Sequence, residues 1–150
     1  MTFEDTFGVK APVETVWRFL RDPEQVGKCI PGTERVEVVD DRNYRVVASA
    51  KVSFLTVSFN MKVTVTEIEE PRRLVSVAEG QDTRLNERVK MTTALTLEAD
   101  GPAATRVSYK IDMGMFGKLA SIGFSVIRGK AKQMAEVFAK EVKARLESAA

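Results

Sequence analysis

The chain has no histidine and a single cysteine. Without imidazole it lacks the side chain that ionises nearest neutral pH. It also lacks the usual activator of a serine or cysteine nucleophile and the commonest metal ligand. One cysteine, Cys29, excludes an intrachain disulfide and fits a reducing compartment. No apolar run approaches the roughly 18 residues of a membrane span. The opening Met1-Thr2-Phe3-Glu4-Asp5 does not read as a signal peptide. Paired Cys-x-x-Cys, phosphate-cradling glycine loops and zinc signatures are missing. The 23 Lys and Arg nearly balance the 21 Asp and Glu, whereas a dedicated nucleic-acid binder carries a strong basic excess. The expectation is a complete, soluble, cytoplasmic chain with no metal site, no required cofactor and no nucleic-acid partner. Its 150 residues suffice for one domain, 1–150, with a sizeable core.

What is present is organised around the last fifth of the chain. From about Lys118 to Ser148 there is no proline, and Leu119, Ile122, Val126, Ile127, Met134, Val137, Phe138, Val142 and Leu146 recur at three- and four-residue steps. That spacing predicts an amphipathic helix. Wound at 100° per residue, about one turn per 3.6 residues, it gathers Leu119, Val126, Met134 and Val137 on one side, with Lys130 inside the apolar face. The row Met134-Phe138-Val142-Leu146 drifts around the helix, so its two halves should touch different things. A helix of this kind needs an apolar surface to receive it.

The remainder supplies that surface. Thr2–Val9 alternates as a strand, and Ala11-Pro12 opens a short helix with Val13, Val16, Trp17 and Leu20 buried. Asp22-Pro23-Glu24 stops it and starts a second short turn through Val26. After the tight link Cys29-Ile30-Pro31-Gly32 the period becomes two. Strands are expected at Thr33–Asp40, Tyr44–Ser53, Val57–Glu69, Leu74–Gln81, Arg88–Ala99 and Thr105–Met113, separated by polar turn clusters. Phe54-Leu55-Thr56 is an unusually apolar link. On the fourth strand Phe59, Met61, Val63 and Val65 face a core, while Ser58, Asn60, Lys62, Thr64 and Thr66 face water. A one-sided antiparallel sheet needs a cover, and the long helix is the evident one.

Several residues invite a chemical reading and a plainer one. Glu69-Glu70 and Asp40-Asp41 are adjacent carboxylates that point apart, as solvated turn charges do. Cys29 reads as a small buried hydrophobe, and Trp17 as a core plug. Tyr44 and Tyr109 belong to strand patterns from which a hydroxyl can reach a cavity. Lys130 snorkels from its apolar face or meets a carbonyl or anionic head group. Met113-Gly114-Met115-Phe116-Gly117 reads as a glycine-flanked link, either a packed turn or a gate touching a membrane. Residues 118–148 carry seven Lys/Arg against three Glu. That excess suits a solvated face or one meeting an acidic surface or lipid head groups.

The order of elements resembles the helix-grip (START/Bet v 1-like, SRPBCC) superfamily, an α+β fold. There a curved seven-stranded antiparallel sheet surrounds a long C-terminal helix, with two short helices after strand 1. Within it the chain is similar to the CoxG family, named for the G subunit of carbon monoxide dehydrogenase. The carrying segments are Val9-Lys10-Ala11-Pro12 with Val16-Trp17, then Asp22-Pro23-Glu24 and Cys29-Ile30-Pro31-Gly32. Gly117-Lys118-Leu119-Ala120-Ser121-Ile122-Gly123 and Met134-Ala135 with Phe138 complete them. The link at Cys29 and the Gly117–Gly123 stretch are the more specific. Where the family tends to be glycine-rich after Gly80-Gln81, this chain reads Asp82-Thr83-Arg84-Leu85-Asn86-Glu87-Arg88.

The resemblance implies a cavity between sheet and helix, lined here by Phe59, Met61, Leu85, Val89, Met115, Phe116, Ile122, Val126, Lys130 and Met134. Arg84 and Arg88 would make polar contacts at its rim. It implies an accessory protein that binds a quinone-, lipid- or prenyl-like molecule. Such a protein would assist a molybdenum CO-dehydrogenase-type enzyme in maturation or membrane recruitment, with peripheral contact at the inner membrane face. Two alternatives stand beside it: a cyclase or dehydratase on the same fold, and an assembly factor without ligand.

Overall fold

The computed structural model describes residues 1–82, 87–116 and 118–147. Chain order is β1 (Thr2–Val9), α1 (Val13–Leu20), α2 (Pro23–Cys29), β2 (Thr33–Val38), β3 (Asn43–Val52), β4 (Leu55–Glu69), β5 (Arg73–Asp82), β6 (Glu87–Ala99), β7 (Thr105–Phe116), a 3-10 turn (Lys118–Ser121) and α3 (Phe124–Glu147). The strands form one seven-stranded sheet in the order β1-β7-β6-β5-β4-β3-β2, with every neighbouring pair antiparallel. The expected architecture is the observed one. A register shift between Val65 and Glu67 on β4, and another between Thr33 and Arg35 on β2, interrupt the ladders. Such bulges bend and twist a strand, which curves the sheet.

Local chemistry sets the boundaries. Pro12 sits just before α1 as its cap residue and offers no side-chain cap. Asp22 caps α2 by accepting from the backbone N–H of Glu24 and Gln25 at 3.1 and 3.4 Å, and α2 runs past Val26 to Cys29. In the link that follows, Gly32 has φ +89°, and a Cβ there would lie 2.0 Å from the Ser49 carbonyl oxygen. Only glycine fits so close an approach.

Other expected boundaries move too: β4 begins at Leu55, so Leu55 and Thr56 belong to a strand and not to the link with Phe54. Met113-Gly114-Met115-Phe116 is no link: it is the end of β7, paired residue for residue with Arg88–Met91 of β6. Gly114 continues the pleat because its register partner Lys90 holds it in the ladder. The long helix starts at Phe124 instead of Lys118, because Gly123 adopts φ +110° and breaks the helical path. The 24 residues of α3 span roughly 36 Å.

The buried residues of α3 are Ile127, Val142 and Leu146, in line with half-buried Ala131, Met134 and Phe138. Val126 is 43% exposed, and Val137 is exposed as well. The expected Leu119-Val126-Met134-Val137 side is therefore not the packed one: the drifting Met134-Phe138-Val142-Leu146 row is. The main core joins Phe7, Val9, Leu97 and Val107 of the sheet to Trp17 and Leu20 of α1 and to Val142 and Leu146 of α3. Each such fully buried side chain contributes about 1.5–3 kcal/mol. Trp17 plugs this core as expected and donates its indole N–H to Glu70 at 3.0 Å. Glu70 is thus partnered, unlike a merely solvated turn charge.

Candidate functional site

Register decides which side chains meet the helix. Val46, Met61, Gly80, Val89 and Met115 are successive cross-strand partners. Val63, Ala78, Met91 and Met113 form the next row. Both rows lie on the face that carries Phe7 and Val107, the face against α3. Outward from the same ladders point Arg45, Lys62, Glu79, Arg88, Lys90 and Phe116.

The inner face carries two packed clusters, and Val63, Ala78 and Val89 between them are buried as well. At one end stands the main core. At the other, Val52, Val57 and Ile127 are buried together with Phe59, Met115 and Ile122 against them. Between these clusters Met61, Met91 and Met113 are only half-buried, and none belongs to either cluster. The backbone explains why. The sheet contacts of α3 are mainly with β1, an edge strand, and β3, next to the other edge. A Cβ on Gly80 would come to 3.0 Å from both the Met61 and the Val89 side chains, which close over the glycine. On α3, Met134 and Lys130 are both half-buried.

Polar groups are sparse on this face. Among the described residues they include Tyr44, Asp82 and Tyr109: Asp82 is buried and accepts from the Ser58 backbone N–H at 2.9 Å, and the Tyr109 hydroxyl donates to Asp5 Oδ2 at 3.5 Å. The ring of Tyr109 meets Phe138 edge-on, and Phe138 meets Phe7 the same way, at 6.1 and 6.0 Å between centroids. Burial, reinforced by the Asp5 carboxylate, pushes the Tyr109 phenol up to about 12. Burial likewise raises Tyr44, against a weaker opposite pull from Arg21. Cys29 is buried in the main core, donates to the Gln25 carbonyl at 3.5 Å, and is raised chiefly by burial. It therefore holds its proton and packs as a small hydrophobe. No cluster of three or more His, Cys, Asp or Glu suited to a metal occurs among the described residues.

Of the residues expected to line a cavity, Phe59, Met61, Val89, Met115, Ile122 and Met134 lie on or beside the inner face. Lys130 is half-buried at the edge of the α3 stripe, with no ion-pair partner among the described residues. Two expectations are corrected. Val126 faces out because the packed stripe of α3 runs through Ile127, Met134, Phe138, Val142 and Leu146, and Val126 lies about 100° round the helix from Ile127. Phe116 is 52% exposed on the outer face, because β7 continues and odd-numbered residues point inward. Arg88 joins it there, its guanidinium 5.4 Å from the Phe116 ring centroid. Arg84 and Leu85 fall outside the described residues. Sequence reasoning missed Asp5-Tyr109 as a pair, although Asp5 alternates in step with Phe3 and Phe7. It also missed Met91 and Met113, whose place follows only from register.

Two recesses open on the surface. One, of about 240 Å³, lies between the hairpin tip Ser53-Phe54-Leu55 and Ser121-Ile122, beside the Val52-Val57-Ile127 cluster. Phe54 is 88% exposed there, and Phe124 nearby carries the Arg128 guanidinium 4.7 Å from its ring. The other, of about 650 Å³, is on the outer face of the sheet and is lined by Arg35, Arg45, Lys62, Arg88 and Lys90 among others. No helix among the described residues is long and apolar enough to cross a membrane.

Comparison with known proteins places this geometry. The family model for the carbon monoxide dehydrogenase G subunit (CoxG) matches residues 6–147, so the chain belongs to that family. No curated protein matches the sequence. Among solved structures, the chain is similar to a conserved protein from Geobacillus kaustophilus, with 22% identity, 99% of this chain and 96% of that one covered, and a TM-score of 0.89. It is also similar to a START superfamily protein from Mycobacterium smegmatis, at 16% identity, 99% coverage of both chains and a TM-score of 0.75. A Streptomyces aromatase/cyclase aligns at 17% identity over 98% of this chain and 93% of that one, with a TM-score of 0.70. At these identities the likeness is one of fold, the START-like helix-grip fold.

Proposed function

We propose that this member of the CoxG family is an accessory binding protein that carries one apolar small molecule, of quinone-, lipid- or prenyl-like character, in a trough between the sheet and α3. The observation that supports this is the half-burial of Met61, Met91 and Met113 between two packed clusters of the same face. A core made only for stability closes over such side chains, since protein interiors are packed as densely as organic crystals. Methionines suit a guest of variable shape because their side chains are unbranched and polarizable. Covering them removes apolar area from water at roughly 25 cal/mol per Å².

The client in this reading is a molybdenum CO-dehydrogenase-type enzyme, served in maturation or membrane recruitment; the family's name supports the choice of a CO dehydrogenase. Phe54 at the hairpin tip and Phe124 with Arg128 form the end that touches the inner membrane face, and the guest enters beside them. Lys130 offers a cation to a carbonyl or head group. Tyr109 does not favour the cyclase alternative. A phenol held to about 12 is far from the pH at which general acid–base catalysis is efficient.

Native mass spectrometry of gently purified protein tests the reading. The expected spectrum shows a fraction carrying one additional apolar mass that is lost on organic extraction. A spectrum of bare protein only, unchanged after incubation with lipid extract, contradicts it.

A further inference from the structure

The outer recess is a separate feature, on the sheet face that turns away from α3. Five basic residues, Arg35, Arg45, Lys62, Arg88 and Lys90, line it against two acidic ones, Glu37 and Glu79. Register puts Arg45 directly opposite Lys62. Like charges so placed repel each other in the free protein. No ion pair among the described residues involves Arg35, Arg45, Lys62 or Lys90, whereas Arg72, Arg73, Arg106 and Arg145 each have a carboxylate partner. Four cations without an ion-pair partner among the described residues therefore gather in this recess, while Lys51 and Lys110 stand elsewhere on the same face.

Their spread identifies the occupant. They stand on β2, β3, β4 and β6, so the row crosses roughly 19 Å at the usual strand spacing. A lone phosphate reaches two of them at most. Glu37 and Glu79 interrupt the row, which suits a partner whose negative charges are interspersed with neutral side chains and not a continuous phosphodiester backbone. At the far end the exposed Phe116 ring, with Arg88 stacked on it, offers apolar contact. We infer that this groove docks an extended acidic segment of a partner protein, one in which Asp or Glu alternates with neutral residues and an apolar side chain reaches Phe116. The inference goes beyond the carrier reading and stands without it. Because the groove and the trough lie on opposite faces of one sheet, partner and guest can be held together.

The test uses the full chain and a fluorescein-labelled synthetic peptide of alternating Glu and Ser with one terminal Phe, followed by anisotropy. The expected result is binding that weakens steeply between about 0.02 M and about 0.3 M salt and fails for the peptide with Gln in place of Glu. Arg45→Gln with Lys62→Gln should weaken binding about ten-fold, while Lys132→Gln with Lys140→Gln on α3 should leave it unchanged. Equal loss in both double variants overturns the inference, as does no binding by the wild type. It is likewise overturned if inorganic phosphate displaces the peptide at equal concentration, or if a single-stranded oligonucleotide binds more tightly. Self-association of the wild type that is lost in the Arg45/Lys62 variant would make a second copy the occupant and also overturns it. Amide shifts of the wild type on peptide addition give an answer independent of variant folding. They should map to β3, β4 and β6, and shifts confined to α3 contradict the assignment.

Discussion

Tyr109 and Asp5 face each other across the β1–β7 ladder, the phenol donating to the carboxylate on the inner face of the sheet. Folding raises the phenol from its ordinary 10.0 to about 12, through burial first and the Asp5 charge second. Between these values the folded chain binds the proton that the unfolded chain has released. Stability is therefore undiminished by this group below about pH 10 and falls as pH rises toward 12. Tyr109→Phe keeps the ring contact with Phe138 and removes the titration. Urea unfolding at pH 9 and pH 11, compared between the two proteins, should show a smaller drop for the variant. An identical drop would mean that Tyr109 ionises freely in the fold.

The phase of α3 is tested by two truncations. Val142 is fully buried in the main core, so Val142→Ala should destabilise by about 2–4 kcal/mol. Val126 is largely exposed, so Val126→Ala should change stability by no more than about 0.5 kcal/mol. Denaturant midpoints at constant slope provide the comparison. A large effect at Val126 would restore the helix phase that its sequence spacing suggests.

Two glycines should respond in opposite senses. Gly129 lies within α3, and nothing stands within 4 Å of a Cβ built there. Gly129→Ala should stabilise by about 1 kcal/mol through helix propensity. Gly32→Ala places a methyl on the Ser49 carbonyl at positive φ and should destabilise by more than that, or prevent folding. Thermal unfolding of both variants checks the pair.

Most of the fold was legible because period-two alternation and turn clusters mark strands directly. Register was less so. Met113-Gly114-Met115-Phe116 keeps the alternation of β7, yet its glycine resembles a break when the partner Lys90 is unseen. The start of α3 depends on Gly123, whose positive φ breaks the helical path. Which side of α3 meets the sheet is set by packing, which buries Ile127 and leaves its neighbour Val126 exposed. The outer groove was invisible for a related reason. Nothing along the chain shows that Arg45 and Lys62, far apart in sequence, are neighbours. The trough was half legible: Phe59 and Met61 belong to an evident apolar face, but the distance between that face and the helix is a property of sheet curvature.

The central claim is that the space over Met61, Met91 and Met113 receives an apolar guest. Methyl NMR of the six methionines, labelled with carbon-13 and titrated with a short-chain alkyl quinone, reads that space directly. The account predicts that the Met61, Met91 and Met113 methyls shift together and saturate at one equivalent. Ala78→Leu, which adds bulk to the inner face beside Met91, should abolish the shifts while the protein remains folded. Binding that leaves these three methyls unmoved, or that persists unaltered in Ala78→Leu, would contradict it.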